Sequence, residues 1–174
     1  MYYPFLRAKQ YEVIALREFA EYVDSNVIVP IIEPVKTVSN SLNLTLSVLS
    51  SHGINFGIVM NPQVGELEGL TNQIDEMLNS FSYTRVFFVR DNIDEISNYV
   101  ENNKHLDIYL ICDEETKVSD SLIRLIKSEN VSRVILTEKQ KRLRRDITKN
   151  VRGKDIVVMY DFLALRQKSR GMTD

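Results

Sequence analysis

The residues best suited to chemistry are charged or polar side chains that each follow an apolar run. They are Arg7, Glu33, Asn61, Arg90, Asp113, Thr137 and Asp161. Arginine and lysine bind phosphate and carboxylate groups, and the planar arginine fork can meet two oxygens at once. Carboxylates can coordinate Mg²⁺ or act as a general base beside a lysine. These residue types therefore predict a site for an anionic or phosphorylated ligand.

Four of these positions, together with Lys9, are predicted ligand contacts. The set comprises Arg7, Lys9, Asn61, Arg90 and Asp113. The alternative is that the cations are solvated or pair with neighbouring carboxylates, which are Glu12, Glu33 and Asp91. For the asparagine, the alternative is a turn, since Asn-Pro favours one and Gly65 can adopt a positive φ. No glycine-rich phosphate loop is present in the sequence, so the pattern indicates an anion and no particular nucleotide.

A second set of residues is predicted to be catalytic, namely Glu33, Lys36 and Asp161. One carboxylate can serve as a general base next to the lysine. Alternatively, Glu33, Asp113 and Asp161 can share a Mg²⁺ ion. The competing interpretation is that each carboxylate caps the helix that follows it, as the stretch after Asp113 suggests.

The segment 138–154 is a local excess of positive charge. Arg142, Arg144 and Arg145 in this segment are predicted to contact the phosphates of a nucleic acid, or else to form a solvated outer helix face. The segment contains no aromatic residue that could stack on bases. Leu143 and Ile147, four residues apart, are expected to anchor it to the sheet.

The elements that must position these residues form a regular repeat. Seven apolar runs are expected to be strands: 2–6, 27–32, 56–60, 85–89, 108–112, 131–136 and 156–160. Runs this unbroken predict burial on both faces, as in a parallel sheet covered by helices. Helical spacing predicts helices between them: 10–23, 41–50, 66–81, 93–103, 118–129 and 138–149. In parallel α/β folds ligands bind at the carboxyl ends of the strands, which is where the polar residues fall.

The even repeat favours a TIM-barrel-like (β/α) fold that is incomplete in this chain, with about seven strands. An open doubly wound parallel sheet is the alternative, since it needs no eighth strand. Residues 1–161 are expected to form this single α/β domain, and residues 162–174 a polar C-terminal tail of a truncated or altered ending. An incomplete barrel has an exposed edge, which predicts pairing with a second copy or with a missing segment.

Composition places the chain among ordinary globular proteins. Its 174 residues are 44% hydrophobic and 26% charged, with a formal net charge of -2. That charge gives no global attraction to nucleic acid or to anionic membranes. Without a signal peptide core or a long apolar run, the sequence predicts a cytoplasmic protein with no membrane contact. With two histidines and one cysteine, neither a zinc site nor a Cys/His nucleophile pair is expected.

Three motifs carry a resemblance to a known family. The stretches YYPFLRAKQYEVIALRE, VIVPIIEPVK and VMNPQVGE resemble the beta-protein family, a group of phage and bacterial proteins without an assigned activity. The motif positions that match are Arg7, Lys9, Glu12, Glu33, Lys36 and Asn61. The resemblance covers roughly the first 65 residues and continues as strand spacing to about Asp161. Members of the group are longer, so it implies a further barrel strand beyond this chain, and it implies no reaction.

Two functions follow from these observations. The first is binding or conversion of an anionic or phosphorylated small molecule at the carboxyl ends of the strands, with Mg²⁺ as the cofactor to consider. The second is a non-enzymatic, phage-related or defence-associated component that binds nucleic acid or a protein partner. The fold alone does not choose between them, because this architecture hosts many unrelated functions.

Overall fold

The computed structural model describes residues 1–37, 39–69 and 71–159, in which seven strands alternate with six helices. The strands are β1 (Phe5–Arg7), β2 (Ile31–Glu33), β3 (Gly57–Val59), β4 (Thr84–Phe88), β5 (Ile108–Cys112), β6 (Val131–Thr137) and β7 (Asp155–Met159). The helices are α1 (Gln10–Ala20), α2 (Asn40–Ser51), α3 (Thr71–Met77), α4 (Ile93–Asn102), α5 (Asp120–Lys127) and α6 (Lys141–Asn150). The predicted tail, residues 162–174, lies outside the described residues.

All seven strands form one parallel sheet in which each strand pairs with the next along the chain, from β1 to β7. Parallel neighbours joined by right-handed crossovers place every connecting helix on the same face of the sheet. A doubly wound sheet instead reverses its strand order part-way, which puts helices on both faces. The described strands show no such reversal. The prediction of an incomplete, barrel-like α/β fold is therefore confirmed.

Two separate apolar cores lie on the two faces of the sheet. The larger core combines the inward residues of all six helices with alternate strand residues such as Ile32 and Leu110. The smaller core contains no helical residue and consists of Tyr3, Phe5, Val29, Ile31, Val59, Val86, Phe88, Tyr109, Ile111, Ile135 and Met159. Because successive side chains of a strand point to opposite faces, one set meets the helices and the other meets its own sheet.

Contacts between distant strands show how strongly the sheet curls. The rings of Phe5 on β1 and Phe88 on β4 lie 5.8 Å apart, edge to face. Adjacent strands are about 4.8 Å apart, so three steps would separate these rings by about 14 Å in a flat sheet. The ring of Tyr3, just before β1, lies 6.5 Å from that of Tyr109 on β5. The sheet is therefore a curled half-barrel. The smaller core fills its inside, and we call it the inner core; the larger core, between the sheet and the helices, is the outer core.

An arginine fills the amino-terminal end of this interior. The guanidinium of Arg133 lies 4.8 Å from the ring centres of both Tyr3 and Tyr109. It also donates to the Tyr109 hydroxyl at 2.7 Å and to the Asp155 carboxylate at 2.6 Å. Burial is the largest influence on both tyrosines and raises the pKa of each hydroxyl. Arg133 on β6 thus joins β1, β5 and β7 across the barrel.

The element boundaries differ from the prediction at the first two strands and at one helix. Strands β1 and β2 start at Phe5 and Ile31, three and four residues later than predicted, and include Arg7 and Glu33 as their last residues. The predicted helix 66–81 is reduced to α3, which ends at Met77 and cannot begin before Gly69, because the φ of +74° at this glycine is not allowed in a right-handed helix. Gly65 has the positive φ predicted for the turn that follows Asn61. No helix of the described residues is long and apolar enough to cross a membrane.

An open edge was predicted for an incomplete barrel, and β1 lies at one edge of the sheet. Within the described part of the chain, β1 pairs with β2 on one side and with no strand on the other. Beside it, an apolar groove of about 390 Å³ is lined by residues that include Tyr2, Tyr11 and Phe19. All three side chains are exposed large hydrophobics. The pairing of this edge with a second copy stays a prediction.

A polar cluster on the helical side clamps α3 and α4 to β4. Asp75 accepts hydrogen bonds from the hydroxyls of Tyr83 and Tyr99 at 2.7 and 3.1 Å, and Arg85 donates to it at 3.1 Å. Burial, followed by the negative charge of Asp75, raises the pKa of Tyr99 to about 12. Burial and the bond to Asp75 also raise the pKa of Tyr83. Both hydroxyls therefore keep their protons in the folded protein under alkaline conditions that ionise them in the unfolded chain.

Replacement of Arg133 by methionine removes both ring contacts while keeping an apolar stem. We expect the free energy of unfolding to fall by about 1–2 kcal/mol, measured by chemical denaturation. Asp155→Asn is the matched control and should cost less than about 1 kcal/mol, because the Asp155 side chain is 56% exposed. An Arg133→Met variant as stable as the original protein would contradict the bridging role.

The tyrosine cluster predicts a stability loss at high pH. An unfolded tyrosine ionises near pH 10, so the free energy of unfolding should fall as the pH rises from about 10 to about 12. Tyr99→Phe removes one of the two groups and should make this decline shallower than in the original protein. Denaturant titrations at about pH 8 and about pH 11 measure the difference. Equal declines in the two proteins would show that Tyr99 does not contribute.

Candidate functional site

The carboxyl-terminal end of the half-barrel collects the polar residues that follow the strands. Alternation along β1 puts Phe5 in the inner core and Leu6 against the helices, so Arg7 returns to the inside. The same alternation applies on β2, where Ile31 is inside and Ile32 outside, and it brings Glu33 to the inside. The curl of the sheet then draws such residues from several strands toward one another.

The first pair in this region is Arg7 with Glu33. The two are direct partners in the register of β1 and β2, and Arg7 Nε donates to Glu33 Oε2 at 3.3 Å. The Glu33 side chain is 1% exposed, whereas that of Arg7 is 24% exposed. The other carboxylate oxygen accepts the backbone N–H of Gln63 at 2.6 Å. Glu33 is thus a buried carboxylate with both oxygens bonded.

The bonds continue from Gln63 to the later strands. Its side-chain oxygen accepts from Arg90 Nη1 at 2.7 Å, and Arg90 Nη2 donates to Asp113 at 2.7 Å. Arg90 Nη1 also lies 3.2 Å from Glu115. A continuous set of polar contacts therefore spans the ends of β1 to β5. We call Arg7, Glu33, Gln63, Arg90 and Asp113 the rim network.

Asn61 holds two strands together beside the rim network. Its amide nitrogen donates to the backbone oxygen of Phe88 at 2.8 Å, and its amide oxygen accepts the Phe88 N–H at 2.9 Å. The side chain therefore continues the pairing of β3 with β4 beyond the end of β3. Both polar atoms of the Asn61 side chain are bonded to the backbone, so this residue stabilises the sheet.

Asp113 organises the turn after β5. One carboxylate oxygen accepts the N–H of Glu115 at 3.0 Å, while the other receives Arg90. The cap of α5 is Ser119, whose hydroxyl accepts the Leu122 N–H at 3.1 Å. Asp113 therefore stabilises a turn and an arginine, and the helix is capped by a different residue. Its neighbour Cys112 is buried in the outer core, and burial raises the pKa of that thiol to about 12.

Comparisons with family models, curated proteins and solved structures find no match to this chain. The beta-protein resemblance therefore rests on the three motifs quoted above and stays a prediction.

The side chains of the other predicted residues that the structure describes form no bond with the rim network. Lys9 and Lys36, on the loops after β1 and β2, are exposed and make no side-chain hydrogen bond or ion pair within the described part of the chain. Asp161 lies outside the described residues. Arg142, Arg144 and Arg145 are exposed on α6, which starts near the rim, where Gln140 donates to the backbone oxygen of Asp113.

Two residues of the candidate site were not predicted from the sequence. Gln63 and Glu115 each lie two residues beyond a predicted position, in loops whose direction the sequence does not reveal. The available signal for Gln63 was its place in the turn MNPQVGE, because a tight turn can point a following side chain back to the strand ends. For Glu115 it was the run of acids after β5.

The predicted Mg²⁺ ligands that the structure describes are engaged in other contacts. No group of three or more His, Cys, Asp or Glu side chains in residues 1–37, 39–69 and 71–159 is arranged to hold a metal ion. Of the predicted Mg²⁺ ligands, Glu33 bonds to Arg7 and Asp113 bonds to Arg90. The positive charge of each arginine beside its carboxylate disfavours a second cation there.

The geometry distinguishes two of the three predicted catalytic residues, Glu33 and Lys36. Glu33→Gln should lower the free energy of unfolding by about 2 kcal/mol, because it weakens a buried ion pair and places an amide donor among other donors. Lys36→Gln should change it by less than about 0.5 kcal/mol, since the side chain is exposed. Urea denaturation of the two variants provides the comparison. Equal effects would mean that Glu33 is not held as described.

Proposed function

We propose that the protein binds an anionic or phosphorylated small molecule at the rim of the half-barrel, with Arg7 as the main contact. The supporting observation is that only part of the Arg7 guanidinium is hydrogen-bonded. Only its Nε bonds to Glu33, and neither terminal nitrogen has a hydrogen-bond partner among the described residues. A guanidinium held by one edge keeps its other donors available for a phosphate or carboxylate.

Arg90 is the natural comparison, because it is the other arginine of the rim network. Its terminal nitrogens are bonded to Gln63 and Asp113, and Glu115 lies within ion-pair distance. Two carboxylates therefore already balance its charge. An incoming anion would compete with both of them for the terminal nitrogens of Arg90. At Arg7 the carboxylate of Glu33 is bonded to Nε and leaves the terminal nitrogens available, which favours the β1–β2 end of the rim.

Glu33 acts as a positioning residue in this proposal. Its buried carboxylate holds the Nε edge of Arg7 and is itself fixed by the Gln63 N–H. Taking up a proton would remove the negative charge that both bonds depend on, and above all the ion pair with Arg7. Binding is therefore the function we propose, and the two bonds argue against proton transfer by Glu33 as its central step.

The exposed lysines can add charge around Arg7. Lys9 and Lys36 follow the two strands that carry the Arg7–Glu33 pair. Glu66 partly offsets the second lysine, because it accepts hydrogen bonds from Thr37 in the same loop. Lysine contributes a point charge without fixed direction, so its share of the binding should be smaller than that of Arg7.

The test is calorimetric titration of inorganic phosphate, pyrophosphate and citrate into the purified protein and its variants. Arg7→Gln should weaken binding of the best of these anions by at least about 10-fold, because charge-assisted hydrogen bonds are lost. Arg7→Lys keeps the charge, so its anion affinity should lie between those of the original protein and of Arg7→Gln. Lys104→Gln is the control for a general loss of one positive charge and should bind as the original protein does.

Two results would contradict the proposal. One is an anion affinity that Arg7→Gln leaves unchanged while Arg90→Gln abolishes it, which would move the site to the other half of the rim. The other is the absence of binding for every anion of the panel in the folded original protein.

A further inference from the structure

Helix α6 carries an unusual charge distribution on its exposed side. Leu143 and Ile147 are buried in the outer core. The exposed cations of the helix are Lys141, Arg142, Arg144, Arg145 and Lys149. None of these five forms an ion pair within 4.0 Å with any described residue, although Lys139 just before the helix pairs with Glu114 at 3.3 Å. The helix thus presents five uncompensated positive charges to its surroundings.

These charges lie on one continuous surface. Each helical residue advances by about 100°, so all five cations fall within an arc of about 160° on the side opposite Leu143 and Ile147. The single carboxylate of the helix, Asp146, lies outside this arc and is only partly exposed. We call this surface the cationic face of α6.

The cationic face is unfavourable for the isolated protein. Like charges three or four residues apart repel, as Lys141 does with Arg145 and Arg145 with Lys149. Basic residues in the first turn also oppose the helix dipole, and that turn contains no acidic residue. The whole chain has a formal net charge of -2, so enough carboxylates exist in it to compensate the helix. Neither Glu138, which lines a pocket together with Lys141 and Arg144, nor Asp146 of the helix forms an ion pair with these cations, which leaves the cationic face available to an external anion.

We propose that the cationic face of α6 binds the phosphate backbone of double-stranded nucleic acid without reading the base sequence. From Lys141 to Lys149 the helix extends about 12 Å, a length over which duplex DNA carries about seven phosphate charges. Three of the five cations are arginines, whose guanidinium groups pair with two phosphate oxygens at once. This surface is distinct from the rim network, in which the arginines already contact carboxylates.

Other macromolecular partners fit the cationic face less well. Single-stranded nucleic acid is held largely by stacking on aromatic side chains, and α6 has none. A helix lying on a membrane buries its apolar residues in the lipid, but those of α6 are already buried in the protein. A protein partner usually requires an apolar or aromatic centre, which this face also lacks.

The experiment measures binding of a fluorescent duplex of about 20 base pairs by polarisation at several salt concentrations. The main variant is Arg142→Gln with Arg144→Gln and Arg145→Gln. The control is Arg17→Gln with Lys104→Gln and Lys127→Gln, which changes the net charge equally on other parts of the surface. Circular dichroism and thermal unfolding confirm that both triple variants are folded.

The original protein should bind the duplex more weakly as salt rises. The α6 variant should lose at least about 10-fold in affinity at low salt, and its slope against log salt should be smaller by about 3, one unit for each lost phosphate contact. The control variant should retain the original affinity within about 2-fold and the original slope.

Four outcomes would overturn the proposal. They are no salt-dependent duplex binding by the original protein, equal binding by the α6 variant, an equal loss in the control variant, and tighter binding to a single strand of the same length. Binding of the same proteins to vesicles containing phosphatidylserine is measured in parallel. If the α6 variant lost vesicle binding while duplex binding stayed unchanged, the partner would be an anionic membrane surface instead.

Discussion

The curl of the sheet is the constraint on which the rest of this structure depends. A parallel sheet with every helix on one face leaves the other face apolar, and that face must be removed from water. Here the sheet bends until strands that are not neighbours touch, as Phe5 and Phe88 do. At the amino-terminal end the guanidinium of Arg133 completes the interior between two tyrosine rings. Curling brings the side chains of the inner face into contact, and the burial of these side chains in turn stabilises the curled sheet.

The candidate site is a consequence of that curvature. Arg7 and Asp113 stand at the ends of β1 and β5, which a flat sheet would separate by about 19 Å. In the half-barrel, Glu33, Gln63 and Arg90 connect them through hydrogen bonds and ion pairs. Most of the charge at the rim is thereby neutralised within the protein. What distinguishes Arg7 is that the network uses only one edge of its guanidinium.

The sequence supports the prediction of the strands and of the polar residues at their ends, because long apolar runs and abrupt polar exits are local signals. Arg7 and Glu33 were found in this way. The Arg7–Glu33 pair was among the alternatives that the sequence offered. The later contacts of the rim could not be predicted, because only the sheet register and curl bring Arg90 to Asp113 and not to Asp91, its neighbour in the sequence. Gln63 was missed for the same reason, as its role depends on where a loop returns.

The measurement that tests the account most directly is a double-mutant cycle between Phe5 and Phe88, with both residues replaced by leucine singly and together. Unfolding free energies from denaturant titration give the coupling. The curled sheet predicts a coupling of about 0.5–1.5 kcal/mol, typical of an edge-to-face aromatic pair. Additive effects, as expected for side chains about 14 Å apart in a flat sheet, would contradict the curl and with it the assembly of the rim.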